Sequence, residues 1–240
     1  MNKSQFYTSH LAGLHSQLLS HPLTREHLQG HFRLDGVNST PGMVIELPFA
    51  ELEAADFAQL FVVFDGSRVH QQREEPHKAP EGVYFTTVNG RLLQYKSKIG
   101  VVFLEGEGAG LHMPFLYFDQ FFLSGHIAPL LGTISFALSA IAAHCCGLAF
   151  IELIAAGGVG FHRKHIGYRY WPKVGFDAAL IAGEASHMNG AQTVQDVLAI
   201  DPVWWDENGS QRLMRFDLAA QSTSWWKLLS YCQEKQIFVP

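Results

Sequence analysis

FIELIAAGG at 150–158 and, six residues later, HIGYRYWPKVGFD at 165–177 decide how this chain folds. The first is an apolar run with a double-glycine exit, the pattern of a buried strand. The second sets aromatics beside a helix-hostile proline and a Gly-Phe pair, the pattern of a short helix that must turn back. Immediately upstream, MPFLYFDQFFL at 113–123 is strand-like, and SFALSAIAAHCCGL at 135–148 is helical by its alanines and length, with Gly147 as its stop. Strand, helix and strand over 113–158 make a unit whose crossover predicts parallel strands.

Further upstream, VYFTTV and RLLQYKSK flank Asn89-Gly90 and read as a tight hairpin, followed by a third strand, IGVVFLEG, and a glycine-rich turn. Residues 4–20 and 24–32 read as two helices, with Leu11, Leu14, Leu18 and Leu19 at helical spacing. MVIELPF at 43–49 is strand-like, ELEAADFAQLFVVF is helix or helix-to-strand, and polar GSRVHQQREEPHKAPEG at 66–82 reads as an exposed loop or linker. Downstream, QTVQDVLAI and PVWWDENG are helical, LMRFDLA is a strand, and SWWKLLSYCQEK is a helix capped by Ser222 or Ser224. The expectation is an α/β (α+β) fold, a mixed sheet flanked by helices, with a helical N-terminal arm over 1–42 and one domain over 43–240.

Composition narrows the function classes. The 240 residues are 48% hydrophobic and 16% charged, with 18 Phe and 5 Trp, enough for a substantial core. A net charge of −5 and the lack of a Lys/Arg run argue against nucleic acid as a partner. Three cysteines, two of them adjacent, make no disulfide framework and suit a reducing cytoplasm, and residues 1–20 lack the continuous apolar centre of a signal peptide. Between Ile127 and Glu152 no side chain is formally charged, but Pro129, Gly132, Ser135, Ser139 and His144 interrupt the run, so a membrane span is not expected.

The order of elements and the residues at 113–176 resemble the GNAT superfamily of acyl-CoA-dependent acetyltransferases. In that family a long fourth strand leads through a glycine-bearing loop into a helix, the fifth strand splays away, and a short helix ends in an aromatic, three residues and Gly-Phe. The matching stretches here are 113–123, SGHIAPLLGT at 124–133, 135–148, 150–156 and Trp171-Pro-Lys-Val-Gly175-Phe176. GYRYWPKVGFDA, with WWDENG and FDLAAQSTSW, is also similar to uncharacterised bacterial GNAT-like proteins of degenerate sequence. The resemblance covers roughly the C-terminal half. It implies acetyl-CoA or another acyl-CoA as co-substrate, a small-molecule or protein amine as acceptor, and a possible homodimer. It places acyl-CoA contacts at Phe122, Leu123 and Ser124, at Gly132, Thr133, Ile134 and Ser135 on the helix start, and at Trp171, with Tyr168, Tyr170 and Trp171 lining the groove. The family's phosphate loop has Arg or Gln, two residues, Gly, one residue, then Gly or Ala; aligned on Gly132, this chain has Pro129 and Ile134 at the flanking positions.

Acyl transfer to an amine needs a base, an acid for the departing thiolate and polarisation of the thioester carbonyl. Asp119 and Glu152, in the two strands of the unit, are the candidate bases, and Tyr170 or Tyr168 the candidate acid, since the family has a tyrosine where this chain has Trp171. The competing readings are a buried acid held by a backbone or tyrosine partner for Glu152, a similar one on the exposed strand face for Asp119, and aromatic core packing with the hydroxyl hydrogen-bonded at the edge for each tyrosine. His162 and His165 are three apart, and His126 and His144 flank one helix, but no acidic or thiolate ligand completes a metal motif. Cys145-Cys146, in mid-helix, reads as small hydrophobes. Each tryptophan pair, Trp204-Trp205 and Trp225-Trp226, is expected to split, one ring in the core and one at its rim. The alternative to an enzyme is a GNAT-like protein that no longer catalyses and serves in binding, as in bacterial toxin or conflict systems.

Overall fold

The computed structural model describes residues 2–74, 80–105, 112–162, 164–188 and 190–239. The chain opens as α1 (Lys3–Phe6), a π-helical turn (Tyr7–Leu11), α2 (Ala12–Ser20) and α3 (Pro22–His27). Asn2 starts it by accepting a hydrogen bond from the Gln5 N–H at 2.8 Å. Phe6, Leu11, Leu14 and Leu18 are buried in the main core, so these helices pack on the body of the protein. Two short strands, β1 (Arg33–Leu34) and β2 (Val37–Asn38), join the principal sheet, while β3 (Val44–Leu47) and β4 (Ala50–Glu53) form a separate antiparallel pair. The segment expected as helix or helix-to-strand does hold a helix, α4 (Ala54–Leu60), but the strand, β4, precedes it.

The principal sheet continues with β5 (Arg68–Glu74), β6 (Gly82–Val88), β7 (Ser97–Glu105) and β8 (His112–Gln120). The polar stretch expected as an exposed loop or linker is therefore in part a strand; among its described residues Ser67 and Val69 turn fully inward, which leaves too little apolar alternation to see. Its residues 75–79, and the glycine-rich turn after IGVVFLEG, fall outside the described residues. Nor is Asn89-Gly90 a tight hairpin. The Asn89 carboxamide accepts from the N–H groups of Arg91 and Leu92 and donates to Ser67 Oγ, Leu92 and Leu93 turn into the core, and the ladder resumes only at Thr87 and Ser97.

After β8 come α5 (Leu131–Cys145), β9 (Phe150–Gly158) and α6 (Gly167–Lys173). The helix starts four residues earlier than its alanine pattern suggests, and Cys145 and Cys146 sit at its end rather than its middle. Next come α7 (Ala182–His187), which the sequence did not foretell, then α8 (Val194–Ile200), α9 (Pro202–Asn208), β10 (Ser210–Asp217) and α10 (Thr223–Glu234). Ser222 holds the cap position of α10 without capping it by its side chain. Its hydroxyl donates to Asp217 O, and Ser224 Oγ accepts from Asp217 N–H, so both serines tie the helix to the end of β10.

The strand order is β10-β9-β8-β7-β6-β5-β1-β2, parallel at β8/β9 and β1/β5 and antiparallel elsewhere. This is a mixed α/β architecture with one large mixed sheet. Alternating strand residues such as Phe85, Leu116, Phe118, Ile151, Leu153 and Phe216 enter the helix-packed core. Tyr84, Val102, Phe115, Tyr117 and Phe150, on the other face, form a second cluster without a helix residue among those described. Trp205 and Trp225 are fully buried, while Trp226 is 41% exposed and Trp204 only half-buried, the split expected of each pair. Among the described residues no helix is long and apolar enough to cross a membrane.

The Gly-Phe pair turns the chain as its sequence suggests. Gly175 has φ +105°, and a Cβ there would stand 2.3 Å from Ser224 O at the start of α10. Gln195 on α8 clamps the same turn by donating to Pro172 O and Phe176 O at 2.7 and 2.8 Å. Gly175→Ala is expected to cost about 2–4 kcal/mol, from left-handed backbone strain plus overpacking, read as a lower urea midpoint with an unchanged slope.

Candidate functional site

Parallel pairing of β8 with β9 lasts for three residue pairs, Leu116 with Ile151, Tyr117 with Glu152 and Phe118 with Leu153. Beyond them the strands part, and each side has a local cause. On β8, the register with β7 slips between Lys98–Gln120 and Ile99–Phe118, leaving Asp119 as the extra residue of a bulge that bends the strand. On β9, the far end stays bound to β10 as far as Gly158 and receives the chain returning at 165–166. That return needs Gly157: it has φ +107°, and a Cβ would overlap the His165 carbonyl oxygen at 1.8 Å.

The gap is a cleft of about 500 Å³, within the range of small-molecule sites. Phe118, Asp119, Phe121, Phe122 and Leu123 form one wall and Leu153, Ile154 and Ala156 the other; Lys164 to Gly167, Tyr170 and Trp171 close one side, and Pro129 and Gly132 bring in the start of α5. Leu130 caps α5 without a side-chain hydrogen bond, and among the described residues no acceptor faces the N–H groups of Gly132 and Thr133. Two free N–H groups at the positive end of a 15-residue helix are suited to an anion.

The expected site residues divide between cleft and scaffold. Asp119, Phe122, Leu123, Gly132, Tyr170 and Trp171 line the cleft. Asp119 Oδ2 lies 3.2 Å from Lys98 Nζ. The Tyr170 ring faces the cleft while its hydroxyl lies 3.1 Å from Thr133 Oγ1. Burial raises the Tyr170 phenol well above the ordinary value of 10, and the Thr133 hydrogen bond opposes this only in part. Thr133 itself is buried and does not line the cleft; it is tied to it through the bond to Tyr170. Ile134 lies in the core with its N–H donated to Leu130 O at 2.9 Å, Ser135 Oγ donates to Leu131 O, and Ser124 N–H donates to Leu92 O. None of these last three lines the cleft, and the Ile134 N–H and Ser135 hydroxyl are already donated within the helix.

Glu152 and Tyr168 do not line the cleft. Glu152 is 5% exposed and accepts from Arg215 Nε at 2.6 Å on the sheet face away from α5. Arg215 also stacks on the Phe150 ring at 4.3 Å. Tyr168 donates to Asp206 O at 2.8 Å and accepts from Arg169 Nε. Tyr168 follows the packed, hydrogen-bonded alternative; Glu152 is a buried acid as that alternative had it, but its partner is an arginine rather than backbone or a tyrosine. Burial pushes the thiols of Cys146 and Cys232 up to about 11 and about 12, respectively, the opposite of what a thiolate nucleophile requires.

Sequence reading missed Gln94, Lys164, His165 and Ile166 as cleft residues. His165 stood out only as half of a histidine pair, and its place depends on the contact with Gly157, which no local pattern encodes. Comparison with known proteins adds nothing to this geometry: no protein-family model, curated protein or solved structure matches the chain.

The position of Glu152 gives a stability test. Arg215→Ala leaves a buried carboxylate without its donor and removes the cover from Phe150. It is expected to cost about 1–3 kcal/mol in denaturant unfolding, and the double variant with Glu152→Gln should recover part of the loss.

Proposed function

We propose that this chain is a GNAT-like N-acyltransferase that moves an acyl group from acetyl-CoA or another acyl-CoA to the amine of a small molecule or protein. The observation that carries the reading is the parting of β8 from β9 over a cleft edged by two free N–H groups of α5. In this reading the co-substrate supplies an activated thioester. Gly132 and Thr133 N–H groups meet its pyrophosphate, with Lys164 as a second cationic contact, and the aromatic walls take its apolar arm. Gly132 suits close approach, since a Cβ there would already touch Leu123 Cδ1 at 3.2 Å.

Asp119 and His165 are the cleft groups able to take a proton from the attacking amine. Asp119 is placed at the bulge, where the broken ladder points backbone groups into the opening. Tyr170, held protonated by burial, gives its proton to the departing thiolate. Glu152 and Tyr168 act in this scheme as scaffold.

A second reading, a ligand-binding protein without catalysis, is favoured by the ion pairs of Asp119 with Lys98 and of Glu152 with Arg215, which leave neither carboxylate free. One set of measurements separates the two. Acetyl-CoA at about 100 times its dissociation constant should add about 2.7 kcal/mol of stability, a rise in Tm of roughly 5–10 °C for a chain of this size. Gly132→Glu should remove that rise by placing a carboxylate where the phosphates lie. Turnover with a primary amine should fall at least about 100-fold in Tyr170→Phe. Protection without turnover supports the binding protein; no protection by any acyl-CoA overturns both.

A further inference from the structure

At the opposite side of the principal sheet, Arg33 of β1 and Arg68 of β5 are direct partners in the parallel ladder, so their side chains leave the same face. Both are exposed. The Arg33 Nε donates to Gly36 O at 2.7 Å across the β1–β2 turn, which fixes the guanidinium and leaves its two terminal nitrogens available. Among the described residues Arg68 makes no side-chain hydrogen bond, and no carboxylate lies within ion-pair distance of either arginine. The nearby acids have other partners: Asp35 bonds His70 Nδ1 and the Gln71 N–H, and Asp65 accepts from the N–H groups of Gln29 and His31.

Like charges in register on neighbouring strands repel, and their pairing weakens a sheet unless an anion lies between them. The surface here is shaped to receive one. Hollows of about 410 and 300 Å³ flank the arginine pair, and Arg33 and Arg68 line both. The smaller adds Lys96, Thr86 and the partly buried Val88, the ladder partner of Arg68 on the same face. Three cations collected at one point of a chain with net charge −5 are a local feature, not a reflection of the whole surface.

We propose that Arg33 and Arg68 form a binding site for the phosphate group of a small phosphorylated ligand, whose remaining part lies against Val88 and Thr86. Two planar guanidiniums side by side match the oxygens of a phosphate, and Lys96 supplies a further charge from the rim. Three ladder steps separate β5 from β8, roughly 14 Å, so this site is independent of the cleft and of the function proposed for it.

Titration with inorganic pyrophosphate at low ionic strength, followed by Tm and calorimetry, tests the assignment. The wild-type chain should bind. Arg68→Gln should bind at least about tenfold more weakly while its ligand-free Tm stays equal or rises, because the variant relieves repulsion. Because the cleft is itself proposed to take a pyrophosphate, the arginine variants are also titrated in the Gly132→Glu background, where binding through Arg33 and Arg68 should remain. The proposal is overturned if pyrophosphate produces no response at millimolar concentration, or if the response in the Gly132→Glu background survives the addition of Arg33→Gln and Arg68→Gln. It is equally overturned if a duplex RNA binds through these arginines and pyrophosphate does not, since the ligand is then a nucleic-acid backbone.

Discussion

Three residue pairs of parallel ladder join β8 to β9, and the character of the molecule depends on where that pairing stops. Backbone N–H and C=O groups that leave a ladder must find water or a ligand, because burying them unpaired costs on the order of 1–3 kcal/mol each. Two strands that separate inside a sheet therefore create an opening that stays wet or takes a ligand. Here the separation is enforced from both sides: Asp119 bulges β8 away, and Gly157 lets residues 165–166 occupy the edge of β9 that β8 would otherwise cover. Neither device is stabilising in itself, and both are held by the surrounding core.

The two faces of the sheet divide the chemistry. The face packed with helices is apolar and builds the cleft from Phe118, Leu153 and Trp171, with Phe136 and Phe176 behind them in edge-on contact with Trp171. The other face carries the ionic row. Tyr117, Glu152 and Arg215 are cross-strand neighbours there, and Lys98 with Asp119 stand beside them. Burial, and after it the charges of Asp119 and Glu152, raise the Tyr117 phenol, so it remains a neutral hydroxyl between two ion pairs. Glu184 with Arg212, buried on both sides, pins α7 to β10 and has Arg212 stacked on the Trp205 ring at 4.9 Å. Partners of this kind lie dozens of residues apart in sequence.

That separation explains what the sequence disclosed. The strand–helix–strand unit was legible because each element is long and locally patterned, and the turn at Gly175 because only glycine tolerates its backbone there. Asp119, Tyr170, Trp171, Phe122, Leu123 and Gly132 were legible as cleft residues because they belong to those elements. Glu152 was misplaced because its face depends on strand register and its partner, Arg215, stands 63 positions away. Tyr168 and Tyr170 are two residues apart on a short helix and so point to different sides, one to Asp206 and one to the cleft. The wall at 164–167 and the strand at 68–74 were hidden for the same reason: tertiary contact, not local pattern, sets them.

Tyr170 and Thr133 join the two halves of the cleft. Their hydroxyl contact fastens α6 to the first turn of α5, so the aromatic wall and the N–H groups keep a fixed spacing. The contact also couples two opposing electrostatic effects. Burial disfavours a tyrosinate, while the positive end of α5 and the Thr133 hydroxyl favour negative charge at the same place. Burial prevails in the resting protein, and the phenol keeps its proton. An anion placed against the Gly132 and Thr133 N–H groups would use up the helix field that favours tyrosinate. Occupancy of the anion position would thus make Tyr170 still less acidic.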